Sequence, residues 1–367
     1  MIESAWKLSA YFPERLRTIT DATGGVRPGF LAEHVLNLFE ERKVATSVML
    51  RGIASFGPIG VLRTDESLSL SEDPPAVVYA VDTESTINDL VDDVASVTGR
   101  GLITLERAQL ARADVVSALA ESATRDAVKL TIYVGRTVRI GGIPAYRAVC
   151  DILYRQGFAF AAALLGVDGT VHGVRYRARF FSRNVNVPMM IVSVGTPKQV
   201  SAAVTELTGA MPNPLLTVER IQLCKHQGEL LTTPRELPTT DERGRPLWQK
   251  LMVHTTEGDT CNGAPIHREI VRRLLKSQTA QGATAVRSVW GFQGSKKPHG
   301  DRIIQLVRKV PVVTIIVDTP ASIARSFKVV NELTASHGVV TCEMVPAALS
   351  IHAPGRRGNL KPAHFDY

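Results

Sequence analysis

Trp6-Lys7-Leu8-Ser9-Ala10-Tyr11, Val128-Lys129-Leu130-Thr131-Ile132-Tyr133 and Gln249-Lys250-Leu251-Met252-Val253-His254 open three stretches of the chain alike. Their lysines lie 122 and 121 residues apart. Three closing stretches also match. Gly101-Leu102-Ile103-Thr104-Leu105-Glu106, Leu215-Leu216-Thr217-Val218-Glu219 and Gly338-Val339-Val340-Thr341-Cys342-Glu343 share Thr-x-Glu in a β-rich run. Between opening and closing, an apolar run ends at Asp82, Gly195 or Asp318, and the closing glutamate follows after 24, 24 or 25 residues. Independent landmarks at matched spacing indicate three tandem repeats.

Each repeat reads in one order. The opening run is β-branched or aromatic and predicts a strand. A loop with Pro28, Pro144 or Pro265 leads into helical spacing, seen in Leu31, Val35, Leu38 and Phe39 and its counterparts. Two apolar strands follow, then a second helix, whose start is marked by Thr196-Pro197 and Thr319-Pro320. The Thr-x-Glu strand closes the repeat. The order β-α-β-β-α-β predicts an α+β fold of three tandem ferredoxin-like domains. Their bounds are residues 1–115, residues 116–240 with a proline-rich linker, and residues 241–350. Residues 111–127 read as a short helix, and residues 351–367 as a disordered tail.

Composition narrows the class. In 367 residues, 44% are hydrophobic and 21% charged, which excludes wholesale disorder. The longest plain apolar run, Phe158 to Val167, is about half a membrane span. The four cysteines form no C-x-x-C, so a Cys-based zinc site is not expected and a reducing cytoplasm is. The net charge of +8 is uneven. Residues 1–115 carry 11 basic and 17 acidic side chains; residues 116–235 carry 14 and 7, and residues 236–367 carry 18 and 11. An acidic first third argues against a uniformly basic nucleic-acid clamp.

No Walker A, G-x-G-x-x-G after a strand, H-E-x-x-H or G-x-S-x-G occurs, so no catalytic residue, metal site or cofactor is nominated. The loop after the second strand carries more. Repeat one has Arg51, Gly52, Phe56 and Gly57; repeat three has Arg287, Gly291, Phe292, Gly294, Lys296 and Lys297. Repeat two instead follows a glycine-containing turn with Arg175, Arg177, Arg179 and Arg183. Glycine lets backbone N–H groups face an anion and arginine offers a planar fork, but a solvated surface hairpin has the same composition. Before the last strand stand Gly99-Arg100-Gly101 and His337-Gly338, where repeat two has Met211-Pro212-Asn213-Pro214. These turns read either as a phosphate cradle or as ordinary helix C-caps. The three glutamates either line three clefts or pair across strands with Lys7, Lys129 and Lys250, and the second is favoured.

Lys129-Leu130-x-x-Tyr133, Leu50-Arg51-Gly52-Ile53-Ala54-Ser55-Phe56-Gly57, Leu70-Ser71-Glu72-Asp73-Pro74-Pro75, Val81-Asp82 and Gly101 to Glu106 resemble the PII-like superfamily. The nearer likeness is to its uncharacterised bacterial branch, a family filed as a domain of unknown function. The resemblance implies sheets packed around an axis as in a trimer, here within one monomeric chain as a pseudo-trimer. It implies an anionic small molecule, often an adenine nucleotide, in clefts between neighbours. It also implies signalling through the long loop to a membrane transporter or enzyme, with a link to fluoride export by gene neighbourhood. The expected function is therefore a signalling protein that binds an anionic ligand and regulates such a partner. The alternative, a nucleic-acid binder on a ferredoxin-like sheet, needs exposed aromatics that the third strands almost lack, so nucleic acid is not an expected partner.

Overall fold

The structure, a computed structural model, describes residues 4–19, 29–64, 70, 72–111, 127–178, 186–300, 309–352 and 355–365. The expected helix at 111–127 falls almost wholly outside them. Leaving two-residue strands unlabelled, repeat one holds β1 (Ser4–Pro13), α1 (Leu31–Glu41), β2 (Thr46–Phe56), β3 (Pro75–Thr83), α2 (Glu84–Val97) and β4 (Gly101–Leu110). Repeat two holds β5 (Ala127–Gly135), α3 (Ala145–Arg155), β6 (Phe160–Leu165), β7 (Asp168–Val171), β8 (Val174–Arg177), β9 (Pro188–Gly195), α4 (Pro197–Ala210) and β10 (Leu215–His226). Repeat three holds β11 (Trp248–Thr256), α5 (Ile266–Ser277), β12 (Ala283–Arg287), β13 (Trp290–Gln293), β14 (Pro311–Asp318), α6 (Pro320–Leu333) and β15 (Val339–Val345). A hairpin of β16 (Ala347–His352) and β17 (Gly355–Asn359) ends the chain.

The expectation of three ferredoxin-like α+β domains is corrected by how these strands pair. The protein is mostly β, with six helices among the described residues, and nine antiparallel strands close into a barrel. The ring runs β2, β3, β1, β4, β10, β15, β11, β14, β12 and back to β2. The physical reason lies at the strand edges. A separate four-stranded sheet would expose unpaired N–H and C=O groups at both edges. Here strands run on past their own repeat and cover a neighbour's edge. The end of β4 pairs with β10, the end of β10 with β15, and β16 with β4. On the opposite edges, β7 pairs with β2, β13 with β6, and the end of β2 with β12. Each exchange recurs once per repeat, so the three segments form one body.

Burial follows. Every residue of β5, β9, β11 and β14 is buried, because both faces of these strands are covered. Helices cover the outer face. α1, for example, buries Leu31, Val35, Leu36 and Phe39 against repeat one's sheet. The inner faces meet in one shared core that takes Val77 and Tyr79 from repeat one, Tyr133 and Val192 from repeat two, and Met252 and Ile315 from repeat three. The second helix of repeat two starts as read: Thr196 and Gln199 form a capping box before Pro197. The tail is not loose over its described length. β16 lies on β4, Leu349 and Ile351 enter repeat one's core, and Ala363 is buried.

Candidate functional site

Strand register alone places Lys7 opposite Glu106, Lys129 opposite Glu219 and Lys250 opposite Glu343. Closure of the ring then brings the three pairs together. Lys7 lies 2.8 Å from Glu106 and 2.6 Å from Glu219; Lys129 lies 2.8 Å from Glu219 and 2.6 Å from Glu343. Lys250 lies 2.7 Å from Glu343 and also pairs with Glu106. Six charges of alternating sign thus form a closed ring, each side chain at most 8% exposed. The favoured cross-strand pairing is present, and each lysine also reaches the glutamate of a neighbouring repeat. Burial opposes ionisation, yet the lysines hold the carboxyls of Glu106 and Glu343 below the usual carboxylate range. Burial likewise opposes charge on Lys7 and Lys250, and the glutamates outweigh it, raising both. At Lys129 burial prevails and the ammonium is lowered. Carboxylate oxygens of the three glutamates lie within 4.8 Å of one another, the spacing of a metal site. Three ammoniums alternate with them, so the donor set is already neutralised and does not fit a cation.

The cleft between repeats one and three has different chemistry. Its pocket, of about 100 Å³, is lined by Tyr11, Phe12, Phe56, Gly57, Arg63, Arg100, Gly101 and Trp248, among others. Arg63 is held by the Asp73 carboxylate at 3.0 Å. Arg100 has no hydrogen bond or ion pair among the described residues. The Trp248 indole N–H and the Tyr11 hydroxyl are buried and also lack hydrogen-bond partners there. Gly101 has φ +140°, and a Cβ on it would lie 2.4 Å from the Tyr11 carbonyl oxygen, so only glycine lets this turn close onto β1. The cleft thus combines one guanidinium that is unpartnered among the described residues with aromatic walls.

The structure brings some sequence-predicted residues together and separates others. Phe56, Gly57, Arg100 and Gly101, from two different loops, line this one pocket. Gly99 precedes them and packs on Ile19, which a Cβ would approach to 2.6 Å. Gly52 lies in β2, where a Cβ would meet Pro75 at 2.7 Å and the Ala285 carbonyl oxygen at 3.0 Å; it serves strand packing. Arg51 lines a different cleft, of about 730 Å³, and its guanidinium grips Glu14 through two bonds of 2.6 and 2.5 Å. Arg287 is paired with Glu257 at 3.1 Å. Gly291 and Phe292 belong to β13 on repeat two's sheet; Phe292 is fully buried, 5.3 Å from the Tyr154 ring. Gly294 lines a third cleft, of about 480 Å³, while Lys296, Lys297 and His337 are exposed and Gly338 is buried with φ +100°. Of repeat two's arginines, Arg175 forks onto Asp168 at 2.9 and 2.7 Å, Arg177 pairs with Glu33, and Arg179 and Arg183 lie outside the described residues. Tyr11, Arg63 and Trp248 were not singled out from sequence, since each lies in or beside a strand and reaches the cleft only through the ring.

Comparison with known proteins gives three matches to one family. The DUF190 profile, described as "Uncharacterized ACR", matches residues 14–110, 127–223 and 248–347. A relative, the UPF0166 protein of Aquifex aeolicus, is 29% identical over 96 residues, which covers 88% of that protein and 26% of this chain.

Proposed function

The chain belongs to the DUF190 family of uncharacterised PII-like proteins, in three tandem copies, and on that premise we propose that it is a regulator that binds an anionic nucleotide between its first and third repeats. The observation that carries this reading is an unpartnered arginine set among aromatic rings there. Arg100 lines the cleft without a partner among the described residues, and Tyr11, Phe12, Phe56 and Trp248 line it beside Arg100. Arginine suits phosphate, and the aromatic walls suit a planar base. In the cleft of Arg51 that arginine is tied to Glu14. At about 100 Å³ the pocket admits a base or one phosphate but not a whole ligand, for which sites typically measure about 300–1,000 Å³. The rest of the nucleotide extends past the Gly57–Pro58 turn.

That turn offers a route to a partner. Ile59, in the pocket wall, is half exposed, and Val61 beside it is exposed too. A ligand that orders the turn changes what this apolar pair presents. The partner is a membrane transporter or an enzyme, on the resemblance alone. Among the described residues no helix is long and apolar enough to cross a membrane. Nothing favours the nucleic-acid reading: the inner sheet faces are packed into the shared core and present no stacking platform.

A thermal-shift panel of ATP, ADP, cyclic dinucleotides and RNA tests the proposal. One nucleotide is expected to raise the melting temperature of the full chain, and Arg100→Ala to weaken its binding roughly tenfold or more, as for a lost charge-assisted hydrogen bond. No shift with any nucleotide, or full affinity in Arg100→Ala, overturns it.

A further inference from the structure

The cleft between repeats two and three is uncharged. It measures about 480 Å³, a usual size for a small-molecule site, and among the described residues its lining holds no lysine, arginine, aspartate or glutamate. One cause lies in the repeat itself. Asp82 and Asp318 stand at the ends of β3 and β14. Each carboxylate accepts two backbone N–H groups, from Ala45 and Thr83 or from Gln281 and Thr319, at 2.7–2.9 Å. Repeat two has Gly195 there, and a Cβ on it would lie 2.8 Å from the Phe158 ring. Gln199 takes over the bonding, accepting the Thr196 N–H at 2.8 Å and donating to the Gly157 carbonyl at 2.7 Å. An amide and an aromatic ring thus stand where the other repeats have an ion.

The remaining polar groups are held in place by both repeats. His226 and Gln227 sit on the tight turn that ends β10, with φ +50° at Gln227 and +87° at Gly228. His226 pairs with Glu229 across that turn, and the Gly228 N–H donates to the Gly338 carbonyl of repeat three at 3.2 Å. Ser295 follows β13 of repeat three, and its carbonyl accepts the Tyr154 hydroxyl at 2.9 Å. A Cβ on Gly294 would lie 2.4 Å from Gln227 Nε2, so a glycine there is what lets the two turns meet. The side chains of His226, Gln227 and Ser295 line the cleft and have no hydrogen bond or ion pair among the described residues. A carboxamide, a hydroxyl and a neutral imidazole each donate and accept. Tyr154, Phe158, Leu223 and Leu231 supply apolar wall.

We propose that this cleft binds an uncharged ring compound that carries an N–H beside a C=O, the lactam class. The Gln227 carboxamide matches such an edge with two hydrogen bonds, one given and one taken, and the apolar wall covers the ring. A charged ligand would leave water here with no counter-charge to meet it.

The test uses the full-length chain and three matched probes followed by fluorine NMR. Fluorooxindole is a lactam, fluoroindole keeps the N–H without the carbonyl, and fluoroindole carboxylate is charged. Fluorooxindole is expected to bind saturably at one per chain, fluoroindole roughly fivefold more weakly, and the carboxylate more weakly still. The diagnostic variant is Gln227→Asn. Asparagine before glycine also favours this turn, so the melting temperature should hold, but the carboxamide is withdrawn by one methylene and affinity for fluorooxindole should fall roughly fivefold. Ser295→Ala, at an exposed residue, repeats the test without touching the turn and should also weaken binding. Arg100→Ala should change nothing, which separates this site from the nucleotide cleft. No binding of fluorooxindole, a stoichiometry other than one, equal affinity for the carboxylate, full affinity in both Gln227→Asn and Ser295→Ala, or lost binding in Arg100→Ala overturns the proposal.

Discussion

The axis and the clefts of this molecule are built from the same three repeats and have diverged to different degrees. At the axis, lysine and glutamate recur in all three repeats and close one ring of six charges. In the clefts almost nothing recurs. One has aromatic walls and Arg100, which is unpartnered among the described residues, one has Arg51 tied to Glu14, and one is lined by Gly195, Thr196 and Gln199. The difference teaches where a fused repeat is free to vary. A buried charge can change only if its two neighbours change too, because a lone partner left behind is uncompensated. A cleft wall has no such mutual constraint.

The largest expected effect comes from breaking the ring. Lys129→Met takes one of the two lysines from both Glu219 and Glu343, leaves the buried ring with three negative charges against two positive, and should cost about 3–5 kcal/mol in chemical denaturation, as for other buried charges left uncompensated. A cost below about 1 kcal/mol would show that the six charges do not act as a buried unit.

Next is a position where the repeats differ in titratable chemistry. Tyr11, Tyr133 and His254 stand at the same distance after the opening lysines. His254 is fully buried, 4.3 Å from the Phe160 ring, and neither ring nitrogen has a hydrogen-bond partner among the described residues. Burial first, and the Lys129 ammonium second, push it down to about 3. A depressed folded-state value means that the unfolded chain takes up the proton first. The stability held by neutral His254 is therefore complete above about pH 6.5 and is lost as pH falls towards 3. His254→Phe removes that proton, so below pH 6.5 the wild type should lose roughly 1.4 kcal/mol more per pH unit than the variant. Parallel melting curves of the two from pH 7 to pH 4 would contradict this. The depressed Glu106 and Glu343 act in the same direction at lower pH: their contribution is present above the unfolded value of about 4.3 and is lost on further acidification.

The smallest expected effect is at Arg287. Its pair with Glu257 is one-third exposed on the arginine side, so Arg287→Ala should change stability by less than about 1 kcal/mol. It should also leave nucleotide affinity unchanged. A tenfold loss of affinity would return the site to the loop of repeat three.

These residues show what sequence could and could not disclose. The repeats and the Lys–Glu pairing were legible, because strand register converts equal spacing into contact. The second lysine on each glutamate was not, since it comes from another repeat and depends on ring closure. The barrel itself was hidden for the same reason: the bridging pairs, such as Thr217 with Leu110 and Ala285 with Ala54, join residues with no local signal. Phe292 shows the opposite error. A Gly-Phe-x-Gly run reads as a ligand loop, yet its strand crosses to repeat two and the phenylalanine fills that repeat's core. Arg51 shared the loop pattern, and its partner Glu14 lies 37 residues away in sequence.

The contrast between a shared axis and unequal clefts is tested most directly by calorimetry of the full chain with the nucleotide that the thermal panel selects. One tight site per chain, abolished or weakened at least tenfold by Arg100→Ala, is the expected result. Three equal sites per chain, or one site indifferent to Arg100→Ala, would contradict it.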